Sequence, residues 1–75
     1  MSELPTVTAR EAITVFEAVG FRVTRINGSH HIMKRDGHRF LLTVPAHGNK
    51  PLKKGTLKGL IGDAGMTVDE FRRHL

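Results

Sequence analysis

Residues 21–44 read FRVTRINGSHHIMKRDGHRFLLTV, and this stretch decides the fold. Branched and aromatic residues that roughly alternate with polar ones are typical of β-strands. The dipeptides Asn27-Gly28 and Asp36-Gly37 interrupt the stretch, and both are strong signals for hairpin turns. Pro45 follows directly, and it has no amide hydrogen to give to a strand ladder. The pattern therefore predicts antiparallel strands over residues 21–26, 29–35 and 38–44.

The residues before the strands predict a helix. Thr8 and Glu11 have the spacing of a capping box, in which each side chain binds the other's backbone amide. Gly20 marks the end of this helix, because glycine enters the left-handed region at little cost. The apolar stripe at helical spacing consists of Ala12, Ile13, Phe16 and Val19.

The residues after the strands predict a loop, a second helix and a short helical tail. Residues 46–55 are rich in Gly, Asn, Pro and Lys, as loops are. Thr56 is the expected cap of the second helix, and Gly65 its expected end. Thr67 and Glu70 form a second capping box at the start of the tail. The residues expected in the core from this part are Leu57, Leu60, Ile61, Ala64 and Phe71, with Phe40 and Leu42 expected from strand three.

This order of elements predicts an α+β fold. Two consecutive hairpins make a three-stranded antiparallel meander, and the two main helices would cover one of its faces and leave the other to water. The order α-β-β-β-α and the size are those of the double-stranded-RNA-binding domain. Since one fold hosts many functions, this likeness alone does not settle the function.

Length, charge and cysteine content limit the number of domains, the kinds of partner and the kinds of site. The 75 residues are enough for one domain, which we place at residues 1–75. A chain with 12 Lys and Arg against 7 Asp and Glu carries a net charge of +5, which favours nucleic acid or an acidic protein as partner. The chain has no cysteine, so disulfides, thiolate zinc sites and cysteine nucleophiles are excluded.

The sequence also indicates where the protein acts. No apolar run approaches the roughly 20 residues that span a bilayer, so no membrane association is expected. The start of the chain, Met1–Pro5, lacks the basic and apolar parts of a signal peptide. The expected location is therefore the cytoplasm.

A pair of histidines is the first candidate for chemistry. His30 and His31 follow the Asn27-Gly28 turn and Ser29, whose hydroxyl and nearby amides can hold a phosphate oxygen. Neighbouring strand residues point to opposite faces, and the alternation does not decide which imidazole faces solvent. The ordinary alternative is that both are strand residues beside a turn. Imidazoles are nonetheless the only side chains here that titrate near neutral pH without help.

The second candidate is the lysine-rich segment that leads into the second helix. Basic residues at a helix N-terminus favour an anion, and RNA-binding domains of this architecture grip phosphates there. The alternative is a solvated basic loop. The residues are His47, Lys50, Lys53, Lys54 and Lys58.

A metal site is not expected, nor is any cofactor. His30, His31 and His47 could in principle ligate zinc, but adjacent strand residues point apart. No carboxylate or thiolate has suitable spacing to complete the set.

The chain resembles the HicA toxins, which are small ribonucleases of bacterial and archaeal toxin–antitoxin pairs. The likeness covers nearly the whole chain, and the order and spacing of its pieces are specific. The matching pieces are Leu4-Pro5, Glu11-Ala12-Ile13, Gly20-Phe21, Gly28-Ser29-His30, Thr43-Val44-Pro45-Ala46-His47, Leu52, Gly55-Thr56-Leu57, Ala64-Gly65 and Phe71.

The resemblance implies a fold similar to the double-stranded-RNA-binding domain, cleavage of mRNA without a metal, and inhibition by a HicB antitoxin. The family's catalytic histidine directly follows Gly-Ser, which implies this role for His30 and not for His31. The chain departs from the family pattern at two places, Ile26-Asn27 before Gly-Ser-His and the second histidine at position 31. The second departure raises the question whether His31 can replace a substituted His30.

The function expected from residues and resemblance together is that of a toxin cleaving mRNA, with His30 as general acid or base. Gly28 and Ser29 would position the phosphate, and His47 is the candidate second acid–base group. A non-catalytic double-stranded-RNA-binding module and a protein-interaction domain that docks an acidic partner remain alternatives. The flanking backbone would be bound by Lys50, Lys53, Lys54 and Lys58.

Overall fold

The computed structural model describes residues 3–75, in which helices flank a small antiparallel sheet. This arrangement confirms the predicted α+β order with its short helical tail. Met1 and Ser2 lie outside the described residues. They are the first two residues of the segment Met1–Pro5, which is expected not to form a signal peptide. The elements are α1 (Ala9–Ala18), β1 (Arg22–Asn27), β2 (His30–Lys34), β3 (Leu42–Pro45), α2 (Lys54–Asp63) and α3 (Val68–Arg73).

The sheet is the predicted meander, with β2 in the centre between β1 and β3. Asn27 pairs with His30 across the first hairpin, so the turn consists of Gly28 and Ser29. Gly28 has a φ of 61°, a left-handed conformation that glycine adopts without strain. The ladder ends at Pro45 as expected, and Pro45 itself occupies the last paired position, opposite His30. An edge strand tolerates a proline there, because an amide on the outer side of the strand needs no partner in the sheet.

One face of the sheet packs against the helices. Met33 and Leu42 are paired across β2 and β3, and both are completely buried. Phe71 from α3 reaches Phe16 of α1, with ring centroids 5.6 Å apart, so the tail closes one side of the core. Because side chains alternate along a strand, the residues between the buried ones point to the opposite, open face.

Both predicted capping boxes are present. The Glu11 amide donates to Thr8 Oγ1 at 3.3 Å, and the Thr8 amide donates to Glu11 Oε1 at 2.9 Å. Thr67 and Glu70 make the same reciprocal bonds at the start of α3. These caps depend only on residues three positions apart, which explains why the sequence predicts them correctly.

The predicted start of the second helix is wrong. Thr56 lies inside the first turn of α2, and Lys53 occupies the N-cap position in an extended conformation without a side-chain cap. The Leu52 amide donates to the Val7 carbonyl at 2.8 Å, which ties the end of the loop to the N-terminal segment. This long-range bond sets the direction of the chain just before Lys53, so the helix begins earlier than local sequence indicates.

The third strand is shorter than predicted, because His38 is drawn away from the sheet. His38 Nε2 lies 2.6 Å from the Asp63 carbonyl, and Nδ1 lies 3.0 Å from the guanidinium of Arg35. These contacts hold the β2–β3 connection against the end of α2, so residues 38–41 leave the strand. The expectation that Phe40 belongs to the core is consequently wrong, since its side chain is 52% exposed.

Within the described range, 3–75, the helices are too short and too polar for any of them to cross a membrane.

Candidate active site

His30 stands exposed on the open face of the sheet, at the first position of the central strand. Its backbone partners are Asn27 on β1 and Pro45 on β3. The imidazole therefore lies beside the turn that joins β1 to β2 and beside the end of β3. A ring in this position can be reached by a large substrate from the solvent side.

His31 points the other way. Its partner on β3 is Val44, which is completely buried, so both residues face the helices. The half-buried His31 ring lines a cleft of about 400 Å³ against α1, together with Arg10, Ile13 and Glu17. Its Nδ1 atom is buried and has no hydrogen-bond partner within residues 3–75. His30 is therefore the histidine that faces solvent. The His31 side chain lies on the other side of the sheet and does not reach the surface that carries His30.

The turn before His30 is fixed to the loop after β3. The Ala46 amide donates to the Ser29 carbonyl at 2.7 Å, a short bond that joins the two segments directly. A Cβ added to Gly28 would meet no atom within 4 Å, so space does not restrict this position. Its positive φ is therefore the feature that requires glycine here. The predicted phosphate-positioning residues, Gly28 and Ser29, accordingly lie in a turn directly before His30 that is hydrogen-bonded to the loop after β3.

A basic groove begins at Pro45, the last residue of β3. It has a volume of about 460 Å³ and lies between the end of β3 and the start of α2. Pro45 is both a wall of the groove and the backbone partner of His30, so this residue connects the groove to the strand that carries the imidazole. The structure therefore brings the candidate second acid–base group and part of the lysine-rich segment to the same place. The lining residues are Pro45, His47, Lys50, Pro51, Leu52, Lys53 and Thr56.

The other two candidate lysines lie outside the lining of the groove. The Lys54 ammonium donates to the Leu4 carbonyl and to Thr6 Oγ1, both at 2.9 Å, and so anchors the N-terminal segment. Lys58 is exposed one turn further along α2. Of the four predicted phosphate-binding lysines, Lys50 and Lys53 line the groove.

The lysine side chains of the groove form no ion pair with an acidic residue among residues 3–75. Within residues 3–75 the sole ion pair joins Arg22 to Asp36 at 3.3 Å, and it lies on exposed side chains elsewhere. The first turn of α2 contains no acidic residue, so the positive end of the helix dipole adds to the lysine charges. An anion in the groove would therefore meet two sources of positive charge, the N-terminal end of the α2 dipole and the ammonium groups of Lys50 and Lys53.

No group of three or more histidine and acidic side chains within residues 3–75 is placed to hold a metal ion.

The sequence indicates that the arginines in and beside the strands are solvated, with some chance of phosphate contacts, and it does not distinguish Arg25 among Arg22, Arg25, Arg35 and Arg39. The register places Arg25 opposite Ile32 on β2, which is on the open face that carries His30. The signal that reveals this is the pairing of the strands, and local sequence does not contain it.

Comparison with known proteins gives one positive finding. A family model described as HicA toxin of bacterial toxin–antitoxin matches residues 9–66, which is well over half of the chain and includes every strand, α1 and α2. A search of the curated proteins found no match. The matched range contains His30, the Gly28-Ser29 turn and the whole basic groove.

Proposed function

The chain belongs to the family of HicA toxins of bacterial toxin–antitoxin systems, and we propose that it is an endoribonuclease that cleaves mRNA without a metal ion. Membership of the family implies an antitoxin partner. We infer the nuclease chemistry and its residues from the geometry around His30, and the HicB-like identity of the partner from the resemblance to the family.

The position of His30 is the observation that carries the proposal. It is an exposed imidazole, adjacent to a glycine turn and to a groove lined by Lys50 and Lys53. RNA supplies its own nucleophile, the 2′-hydroxyl, so the protein needs only a proton-transfer group and positive charge around the phosphate. His30 on the open face offers the first, and the groove that begins at its backbone partner Pro45 offers the second.

The reaction proceeds by attack of the 2′-oxygen on the adjacent phosphorus. His30 Nδ1 or Nε2, in its neutral form, takes the proton of the 2′-hydroxyl as the O2′–P bond forms. The P–O5′ bond breaks, and the leaving 5′-oxygen takes a proton, for which His47 is our candidate donor. The products are a 2′,3′-cyclic phosphate and a free 5′-hydroxyl. Proton transfer by a positioned imidazole contributes about 10²–10⁴-fold to such a rate.

The basic groove supplies the electrostatic part. Lys50 and Lys53 line the groove and would hold the phosphate that follows the scissile link, while the Gly28-Ser29 turn positions the reacting phosphate. Lys58 extends the same positive field along α2, and Lys54 serves it mainly by fixing the N-terminal segment. Lysines hold phosphates as point charges, so this part gives affinity without base specificity.

A HicB-like antitoxin is the proposed inhibitor. A protein that covers His30 and presents carboxylates to Lys50 and Lys53 would block the substrate and neutralise the groove at once. Since the chain carries a net charge of +5, an acidic partner is favoured.

The test is cleavage of a single-stranded RNA by the purified protein in excess chelator. We expect cleavage to persist with chelator, to yield 2′,3′-cyclic phosphate ends, and to be lost in His30→Ala. Cleavage that requires added metal, or that survives intact in His30→Ala, would remove this mechanism.

A non-catalytic double-stranded-RNA-binding module is the second candidate, and the α-β-β-β-α order with its basic loop favours it. It predicts duplex binding that weakens steeply with salt and no cleavage of any RNA. The two functions therefore separate in the same assay, because only the first yields products.

A further inference from the structure

A β-bulge in β1 turns one arginine toward the face that carries His30. Val23 pairs with Met33, but the next pair joins Arg25 to Ile32, so Thr24 is the extra residue on β1. Without this bulge Thr24 would oppose Ile32, and Arg25 would face the helices opposite His31. Bulges redirect side chains in this way and are frequent beside active sites.

The redirected Arg25 is a diagonal neighbour of His30. Asn27 is directly opposite His30, and Arg25 lies two residues before Asn27 on the same face. Diagonal neighbours on one face of an antiparallel pair are about 7–8 Å apart, which a long side chain can span. A guanidinium at this position therefore reaches the space in front of the imidazole.

Arg25 is also free to bind a ligand, in contrast to the arginines around it. Arg22 is paired with Asp36, and Arg35 donates to the Val19 carbonyl and lies 4.5 Å from the Phe21 ring centroid. Arg25 is exposed and makes no ion pair within residues 3–75.

We propose that Arg25 binds the phosphate on the β1 side of the scissile link, so that single-stranded RNA crosses the strands from Arg25 over His30 to the basic groove. This inference rests on the proposed function and adds a substrate-binding residue and a path to it. Neighbouring strands lie about 4.8 Å apart, so Arg25 on β1 and the groove beyond β3 flank His30 closely on its two sides. The planar guanidinium can hold a phosphate through two hydrogen bonds, which also orients the reacting link.

The test measures binding rather than cleavage alone. In the His30→Ala background, the affinity for a single-stranded RNA oligonucleotide is measured by fluorescence anisotropy at fixed salt. Arg25→Gln is expected to weaken binding about tenfold, and Arg25→Lys to fall between the two because it keeps the charge and loses the fork. The matched control is Arg10→Gln, which removes the same charge from α1 on the helix side of the sheet and is expected to change affinity less than about twofold.

The outcomes separate this inference from the proposed function. If wild-type protein cleaves RNA while Arg25→Gln and Arg10→Gln weaken binding equally, or Arg25→Gln has no effect, the inference fails and the nuclease proposal stands. If the wild-type protein neither binds nor cleaves RNA, both fail. Thermal unfolding of each variant confirms that it is folded, which is expected because both arginines are exposed.

Discussion

At the scale of single residues, the five histidines show that identical side chains differ in solvent exposure and in contacts once the chain is folded. His30 and His31 are neighbours in sequence, yet one faces solvent and the other faces α1. His38, which directly follows the Asp36-Gly37 turn, is half-buried and bridges two elements. Only the long-range contacts of each ring decide its role, so sequence spacing could nominate His30 but could not place it.

The His38 bridge is expected to stabilise the fold. Its ring contacts the Arg35 guanidinium and the Asp63 carbonyl, so His38→Ala removes both of these contacts. We expect the free energy of unfolding to fall by about 1–3 kcal/mol, measured by urea denaturation.

The control for this prediction is His74→Ala at the exposed C-cap of α3. Exposed substitutions of this kind change the free energy of unfolding by about 0.5 kcal/mol or less. Equal losses in the two variants would show that the His38 bridge contributes nothing particular.

At the scale of elements, local rules succeed where an element depends on residues close in sequence. The caps of α1 and α3 are such cases, and the sequence predicts both. The start of α2 depends on the bond between Leu52 and Val7, and the length of β3 depends on the bond between His38 and Asp63. Partners that lie tens of residues away leave no local pattern, so these bounds were predicted wrongly.

The capping box of α3 predicts a dependence of stability on pH. The backbone amide and the hydroxyl of Thr67 lower the pKa of the Glu70 carboxyl below its ordinary value of 4.5. A pKa that is lower in the folded state contributes stability above pH 4.5, and this contribution disappears as the pH falls through the folded value.

Glu70→Gln removes this contribution while keeping a side chain that can cap the helix. The melting temperature of wild type should therefore exceed that of Glu70→Gln at pH 6, and the difference should shrink as the pH falls to about 3. A difference that stays constant across this range would show that the carboxylate charge plays no part.

At the scale of the whole molecule, the fold was predictable and the site was predictable only in part. Turn dipeptides, apolar periodicity and caps agree on one α+β arrangement, which is why the order of elements is correct. The resemblance nominated His30, and the charge pattern nominated the lysine-rich segment. The connection between them runs through Pro45, which pairs with His30 and lines the groove.

Two features of the site could not come from the sequence. The face on which His30 lies depends on which side of the sheet the helices cover. The position of Arg25 depends on a bulge at Thr24, which reverses the alternation of β1 halfway along the strand. Both are consequences of strand pairing and packing, since the residues involved have no local signature.

The central claim is that one imidazole on the open face performs the cleavage and that its neighbour cannot replace it. The most direct measurement is the initial rate of cleavage of one single-stranded RNA, in excess chelator, by wild type, His30→Ala and His31→Ala. We expect a loss of at least about 100-fold for His30→Ala and a rate within about threefold of wild type for His31→Ala. A rate that is retained in His30→Ala, or lost equally in both variants, would contradict it.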